Sequence, residues 1–203
     1  MTIAEHWEAV YAEKSDEEVS WFQAEPRLSA QLIIEVCNDR TARIIDVGGG
    51  SSRLVEQLLD AGFNHLAVLD ISRVALDRAR TRMGDRSAMV QWQVADVSQV
   101  KEIGQFDVWH DRATYHFLTE ASDRLRYAEL VERTVPSGGH IIIAAFAPNG
   151  PSTCSGLEVC RYDARSLAQE LGPAFRCERE VVDQHVTPSG RIQPFTFARF
   201  RRL

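Results

Sequence analysis

Apolar residues along this chain fall into two alternating rhythms. Short runs rich in β-branched and aliphatic residues at 44–47, 65–69, 89–94, 106–109 and 140–146 read as strands. The last is so nearly continuous that it suits a strand buried on both faces. Between the runs, apolar positions recur at helical spacing: Leu28, Leu32, Ile33 and Val36, then Leu54, Val55, Leu58 and Leu59, then Leu76, Ala79 and Met83. A further helix is predicted over 125–135 and is stopped by Pro136-Ser137-Gly138-Gly139. The punctuation agrees, with Pro26 in a first turn, Ser72 as a cap, and Gly62, Gly84 and Gly172 where helices should end. Strand–helix alternation at this spacing predicts right-handed βαβ units and a parallel sheet.

Both ends depart from that rhythm. Residues 3–14 read as a short helix carrying Trp7, Val10 and Tyr11, followed by a polar break and the adjacent aromatics Trp21 and Phe22. At the other end a helix over 163–171 precedes two strand-like runs, 175–186 and 192–200. They are joined by Thr187-Pro188-Ser189-Gly190, the signature of an antiparallel hairpin. No repeat or linker interrupts the chain. The expected organisation is one domain over 1–203, with an N-terminal arm or lid at 1–25 and the core at 26–203.

Composition narrows the function. The chain has 203 residues, enough for one sizeable core, with a formal net charge of −6. A nucleic-acid footprint usually comes with a basic domain, so no nucleic-acid partner is expected. No apolar run approaches the roughly 20 residues that span a bilayer. Residues 1–20 carry Glu5, Glu8, Glu13, Asp16, Glu17 and Glu18, unlike a signal or transit peptide. Cys37, Cys154, Cys160 and Cys177 show no metal-ligand spacing. Reduced thiols, no metal site, no membrane association and a cytoplasmic location are the expectations.

The chemistry centres on Arg43 to Ser52, Arg-Ile-Ile-Asp-Val-Gly-Gly-Gly-Ser-Ser. A strand runs into three glycines, Gly48, Gly49 and Gly50, and then into a helical pattern. Glycines permit positive φ and close backbone approach, so this is a cofactor cradle at the first βα turn of a Rossmann-like sheet. A dinucleotide fingerprint wants a third glycine where Arg53 stands, and no Lys-Ser or Lys-Thr follows to make a phosphate loop. Instead an acid, Asp46, closes the strand. Asp70 and Asp96 close the next two strands in the same way. Ligands bind beyond such strand ends, and three carboxylates in register suit adenosine plus an amino acid. Asp70 would accept from the vicinal ribose hydroxyls, and Asp96 from the adenine amine beside the Val97 backbone. Ile71 and Val97 would wall the base.

Asp46-x-Gly48-x-Gly50 resembles the first motif of class I S-adenosylmethionine-dependent methyltransferases, with Ser52 in place of a frequent third glycine. The resemblance extends to His110-Asp111-Arg112-Ala113-Thr114-Tyr115-His116-Phe117-Leu118-Thr119, to Glu18–Gln23, to Cys154-Ser155-Gly156-Leu157 and to His185-Val186-Thr187-Pro188. Together these look like small bacterial class I methyltransferases related to the mitochondrial lysine methyltransferase that acts on citrate synthase. The resemblance implies a mostly parallel seven-stranded α/β sheet with a C-terminal antiparallel hairpin, helices on both faces, and S-adenosyl-L-methionine as cofactor. The expected cofactor site is Trp21, Phe22, Asp46, Gly48, Gly49, Gly50, Asp70, Ile71, Asp96, Val97 and His110. Trp21 and Phe22 would act as an aromatic lid. His110, Asp111 and His116, read as lying just past the fourth strand, are the catalytic candidates. The acceptor is expected to be a small molecule or a protein lysine. Two alternatives stand beside this. An NAD-dependent oxidoreductase of the short-chain type would need Tyr-x-x-x-Lys, which none of the four tyrosines provides. A methyltransferase-like partner subunit would keep the fold without turnover.

Overall fold

The computed structural model describes every residue except Asn38. Strand β1 (Arg43–Val47), β2 (His65–Asp70) and β3 (Val90–Val94) alternate with helices α3 (Leu54–Asp60) and α4 (Arg73–Met83). Upstream lie α1 (Ile3–Glu13) and α2 (Arg27–Ile34). Then come β4 (Val108–Arg112), α5 (Ala121–Thr134) and β5 (His140–Phe146), followed by a small ladder of β6 (Thr153–Cys154) and β7 (Leu157–Glu158). Helix α6 (Ala164–Leu171) leads into β8 (Phe175–Val186) and β9 (Ile192–Arg202). The large sheet runs β3-β2-β1-β4-β5-β9-β8. Its first five strands are parallel, and β9 pairs antiparallel with both β5 and β8. This is the predicted seven-stranded sheet with its closing hairpin.

Two apolar layers flank the sheet, as expected when strands are buried on both faces. Tyr127, Leu130 and Val131 of α5 and Leu167 and Leu171 of α6 cover one face. Leu32 and Ile33 of α2, Leu54 and Leu58 of α3, and Leu76 of α4 cover the other. Ile141 to Phe146 is buried throughout.

Two of the shifted boundaries change more than a residue or two. The fourth strand is Val108–Arg112 rather than 106–109, so His110 and Asp111 lie within it and not past it. The apolar run ends at Trp109, but a strand continues through polar residues when each finds a partner. His110 meets Asp46, and Asp111 meets Tyr127. Helix α5 starts at Ala121 rather than 125, because its first turn is polar and carries no apolar stripe. The β6–β7 ladder was not anticipated. Ser155 (φ 49°) and Gly156 (φ 80°) form its turn, a pairing suited to two-residue hairpins.

Candidate functional site

The turn after β1 is built for close approach. Gly48 and Gly50 have φ of 65° and 51°, a region costly for residues with a Cβ. There is also no room for one: a Cβ on Gly48 would lie 1.6 Å from the Thr114 hydroxyl oxygen, and one on Gly50 2.4 Å from that of Tyr11. Gly48 N–H donates to the Leu69 carbonyl (2.7 Å), fixing the turn against the end of β2.

Beyond this turn a cavity of about 290 Å³ opens. Asp70, Ile71, Asp96 and Val97 line it from the ends of β2 and β3, and Trp7, Tyr11 and Trp21 from the N-terminal arm. A smaller cavity of about 50 Å³ lies on the other side of Gly48, against Asp46, Gly49, His110 and Phe22. Gly48, Trp21 and Arg112 border both. Gly50 sits under Tyr11. The residues expected to hold a cofactor therefore lie around these two adjoining cavities, with Gly50 beside them. Trp7 and Tyr11 join them, residues that sequence reading assigned only to a helix. Their spacing of four on α1 was the available signal.

The carboxylates differ in their partners. Burial pushes Asp70 up to about 7, against the Ser72 and Gly50 backbone N–H groups, which favour the ionised form. The Ser72 N–H donates to Asp70 Oδ1 at 2.8 Å. Asp96 Oδ1 accepts from both the Ser98 N–H (2.8 Å) and hydroxyl (2.7 Å), a turn that holds the carboxylate at the cavity wall. Asp46 and His110 occupy the same register position on neighbouring strands. Their Oδ1 and Nδ1 are 2.7 Å apart in a buried pair. The contact joins one ring nitrogen to one carboxylate oxygen, which fixes the plane of the imidazole and leaves Nε2 as its other polar atom. Nε2 has no partner among the described residues.

Strand alternation separates Asp111 from His110, and His116 lies in the turn beyond β4. Asp111 faces the opposite side of β4. There its carboxylate accepts from Tyr127 (2.7 Å), the Thr114 N–H (3.0 Å) and the Tyr115 N–H (3.2 Å). Burial pushes it up to about 6, against those donors and the nearby His110. His116 is buried between Phe117 and Phe146, with ring centroids 4.5 and 4.7 Å away. Burial, helped by Arg112, lowers it to about 3, so its ring is neutral across the physiological range. Neither residue lines either of the two cavities.

The arm is fastened from several directions. Glu8 accepts from the Arg73 N–H (2.8 Å), the Val74 N–H (3.1 Å) and the Ser72 hydroxyl (3.0 Å), so α1 caps α4 from outside. Asp16 accepts from Ser51 of the glycine turn (2.7 Å) and pairs with Arg78 and Arg82 of α4. His185 Nε2 lies 2.7 Å from the Ser20 carbonyl oxygen, so this histidine holds the arm from the hairpin. The four cysteines are free thiols.

Residues 44–139 match a methyltransferase domain family. The eEF1A lysine and N-terminal methyltransferase of Danio rerio is 26% identical over 148 residues, covering 71% of this chain and 21% of the zebrafish protein. The chain thus spans about a fifth of the length of that curated relative. Among solved structures, a protein described by the conversion of a disulfide bond into a thioacetal group in echinomycin biosynthesis superposes with a TM-score of 0.79. It is 19% identical, over 98% of this chain and 93% of its own. A second is the 1,6-didemethyltoxoflavin-N1-methyltransferase of Burkholderia thailandensis, with its substrate and S-adenosylhomocysteine bound. It gives a TM-score of 0.76 at 16% identity, covering 99% of this chain and 88% of its own.

Proposed function

From a chain that carries an S-adenosylmethionine-dependent methyltransferase domain on the class I fold, we propose that the methyl group goes to a nucleophile on a small molecule, with His110 taking its proton. S-adenosylmethionine supplies a methyl group on a sulfonium; the acceptor's lone pair takes the carbon while the carbon–sulfur bonding pair leaves with sulfur as a neutral thioether. The glycine turn and the strand-end acids fit that cofactor. The turn has no space for a Cβ, and Asp70 and Asp96 present acceptors where hydroxyls and an amine would sit. Ile71 and Val97 offer apolar walls for the base. Trp21 and Phe22 offer aromatic faces to a cation.

The observation that carries the acceptor chemistry is the buried Asp46–His110 pair. Asp46 holds the ring, and Nε2, which has no partner among the described residues, is the atom that would accept a proton at the edge of the smaller cavity. Asp111 is a positioning residue that fixes the turn after β4, and His116 a packing residue. The cavity that His110 borders, about 50 Å³, supports a small acceptor because it leaves limited room.

The test begins with isothermal titration of S-adenosylmethionine and S-adenosylhomocysteine into the protein and into Asp70→Ala. Micromolar binding lost in the variant supports the cofactor site. Labelled methyl transfer is then followed into separated small-molecule and protein fractions. Label in the small-molecule fraction, reduced about 10²-fold or more by His110→Gln in protein saturated with the cofactor, is the expected result. Label in protein lysines would replace the small-molecule reading. Cofactor binding without any transfer would favour a non-catalytic partner subunit.

A further inference from the structure

We propose that Arg112 is the acceptor-recognition residue and that the acceptor carries a carboxylate or a similarly forked anionic group. The inference rests on the methyl-transfer reading above and narrows its substrate class.

Arg112 ends β4 on the same face as His110, two residues further on, and borders both cavities. Its guanidinium is stacked over Phe195 at 4.8 Å, and its Nη1 donates to the Trp21 carbonyl at 2.9 Å. The remaining edge is different. Nε and Nη2 are buried, and neither has a hydrogen-bond partner among the described residues. Asp46 and Asp183 act on the charge only through space, and Asp46 is already bonded to His110.

A buried guanidinium with two idle donors is costly, and such groups are normally satisfied. Nε–H and one Nη2–H point in parallel from one edge of the planar group. That fork matches two carboxylate oxygens and does not match a single neutral acceptor. A partner that arrives with the substrate explains both the cost and the geometry. Position indicates which partner. The acids suited to adenosine, Asp70 at the end of β2 and Asp96 two residues past β3, lie on one side of β1. Arg112 stands on the other side, in register with Ala144 of β5 and against Phe195 of β9. That is the acceptor's flank of the sheet, one strand-step past the His110 proton acceptor. The Trp21 carbonyl closes over the guanidinium from the arm, so an anion engaged there would also be shielded from water.

The cofactor's own aminoacyl carboxylate shares this chemistry, and the experiment separates the two. Benzoate and its uncharged isostere benzamide are titrated into the S-adenosylhomocysteine-saturated protein and into Arg112→Met, and then into both without the nucleoside. S-adenosylhomocysteine affinity and melting temperature are recorded for each protein. The expected result is benzoate binding in the wild type, at least about tenfold tighter than benzamide. Arg112→Met should lose that preference while its S-adenosylhomocysteine affinity stays within about twofold. Equal binding of benzoate and benzamide, no benzoate binding, or a preference that survives Arg112→Met would overturn the proposal and leave Arg112 as a fastener of the arm. A collapse of S-adenosylhomocysteine affinity in a normally folded Arg112→Met would assign the fork to the cofactor's carboxylate instead. Absence of S-adenosylhomocysteine binding in the wild type would sink the methyl-transfer reading separately, and the nucleoside-free titrations would still judge the arginine.

Discussion

At the scale of single residues, the strand-end acids were legible because each is a charged group closing an apolar run. The protonation of Asp70 was not, since it depends on burial. Asp70 lies at about 7 because burial opposes its charge, with Asp46 and Glu8 adding repulsion. Hydroxyl donors bind the ionised form, so cofactor affinity should follow ionisation. S-adenosylhomocysteine affinity is expected to fall about tenfold between pH 8 and pH 6, and titration calorimetry at both values checks it. The stability effect has the opposite sense. A carboxyl whose folded pKa is raised binds its proton more tightly in the folded state, so ionising it destabilises the protein. That cost is absent below its ordinary value near 4 and complete above about 7. Asp70→Asn should therefore raise the melting temperature of the ligand-free protein at pH 8 and leave it nearly unchanged at pH 4. Gly48 makes the steric case. Gly48→Ala meets both the positive φ, worth about 1–2 kcal/mol, and the Thr114 hydroxyl at 1.6 Å. It should lower the melting temperature and abolish S-adenosylhomocysteine binding, whereas Gly190→Ala, in open space at φ 80°, should cost stability alone.

At the scale of elements, periodicity located nearly every helix and strand, and its failures have physical causes. A polar first turn hid the start of α5. Polar residues with buried partners hid the end of β4, and that boundary decided the reading of the site. Once His110 and Asp111 belong to a strand, alternation sends one to the cleft and the other to the α5 side. Three neighbouring candidates thus become a single proposed base. Helix α1 shows the same limit, because its spacing reveals a helix but not where it docks. Glu8 caps α4 across 64 to 66 residues of sequence. Glu8→Ala should cost about 1 kcal/mol, a drop of about 2–4 °C in melting temperature for a chain of this size, measurable by calorimetry.

At the scale of the whole molecule, the cleft is assembled from parts distant in sequence: the arm, the ends of β1 to β4, and the hairpin residue His185 that holds the arm down. A ligand bound between them should tighten them together. Saturation with S-adenosylhomocysteine at about 100 times its Kd should add about 2.7 kcal/mol, or roughly 5–10 °C. Hydrogen exchange should slow most in residues 3–26 and in the glycine turn. Slowing confined to the turn would show that the arm does not take part.

The α/β architecture, the closing hairpin, the glycine turn and the position of the acids at the strand ends were readable from the sequence. Each of these is written in local periodicity or in residue types whose chemistry is legible alone. The tertiary structure alone decided which side chains meet: Tyr11 over Gly50, His110 against Asp46, Asp111 turned away, and Arg112 left with an idle fork. Those outcomes depend on strand register, on the two-residue alternation of a strand whose limits shift by a few positions, and on long-range docking. All three are set by the energy of burying and pairing polar groups across the fold, which no local stretch of sequence contains.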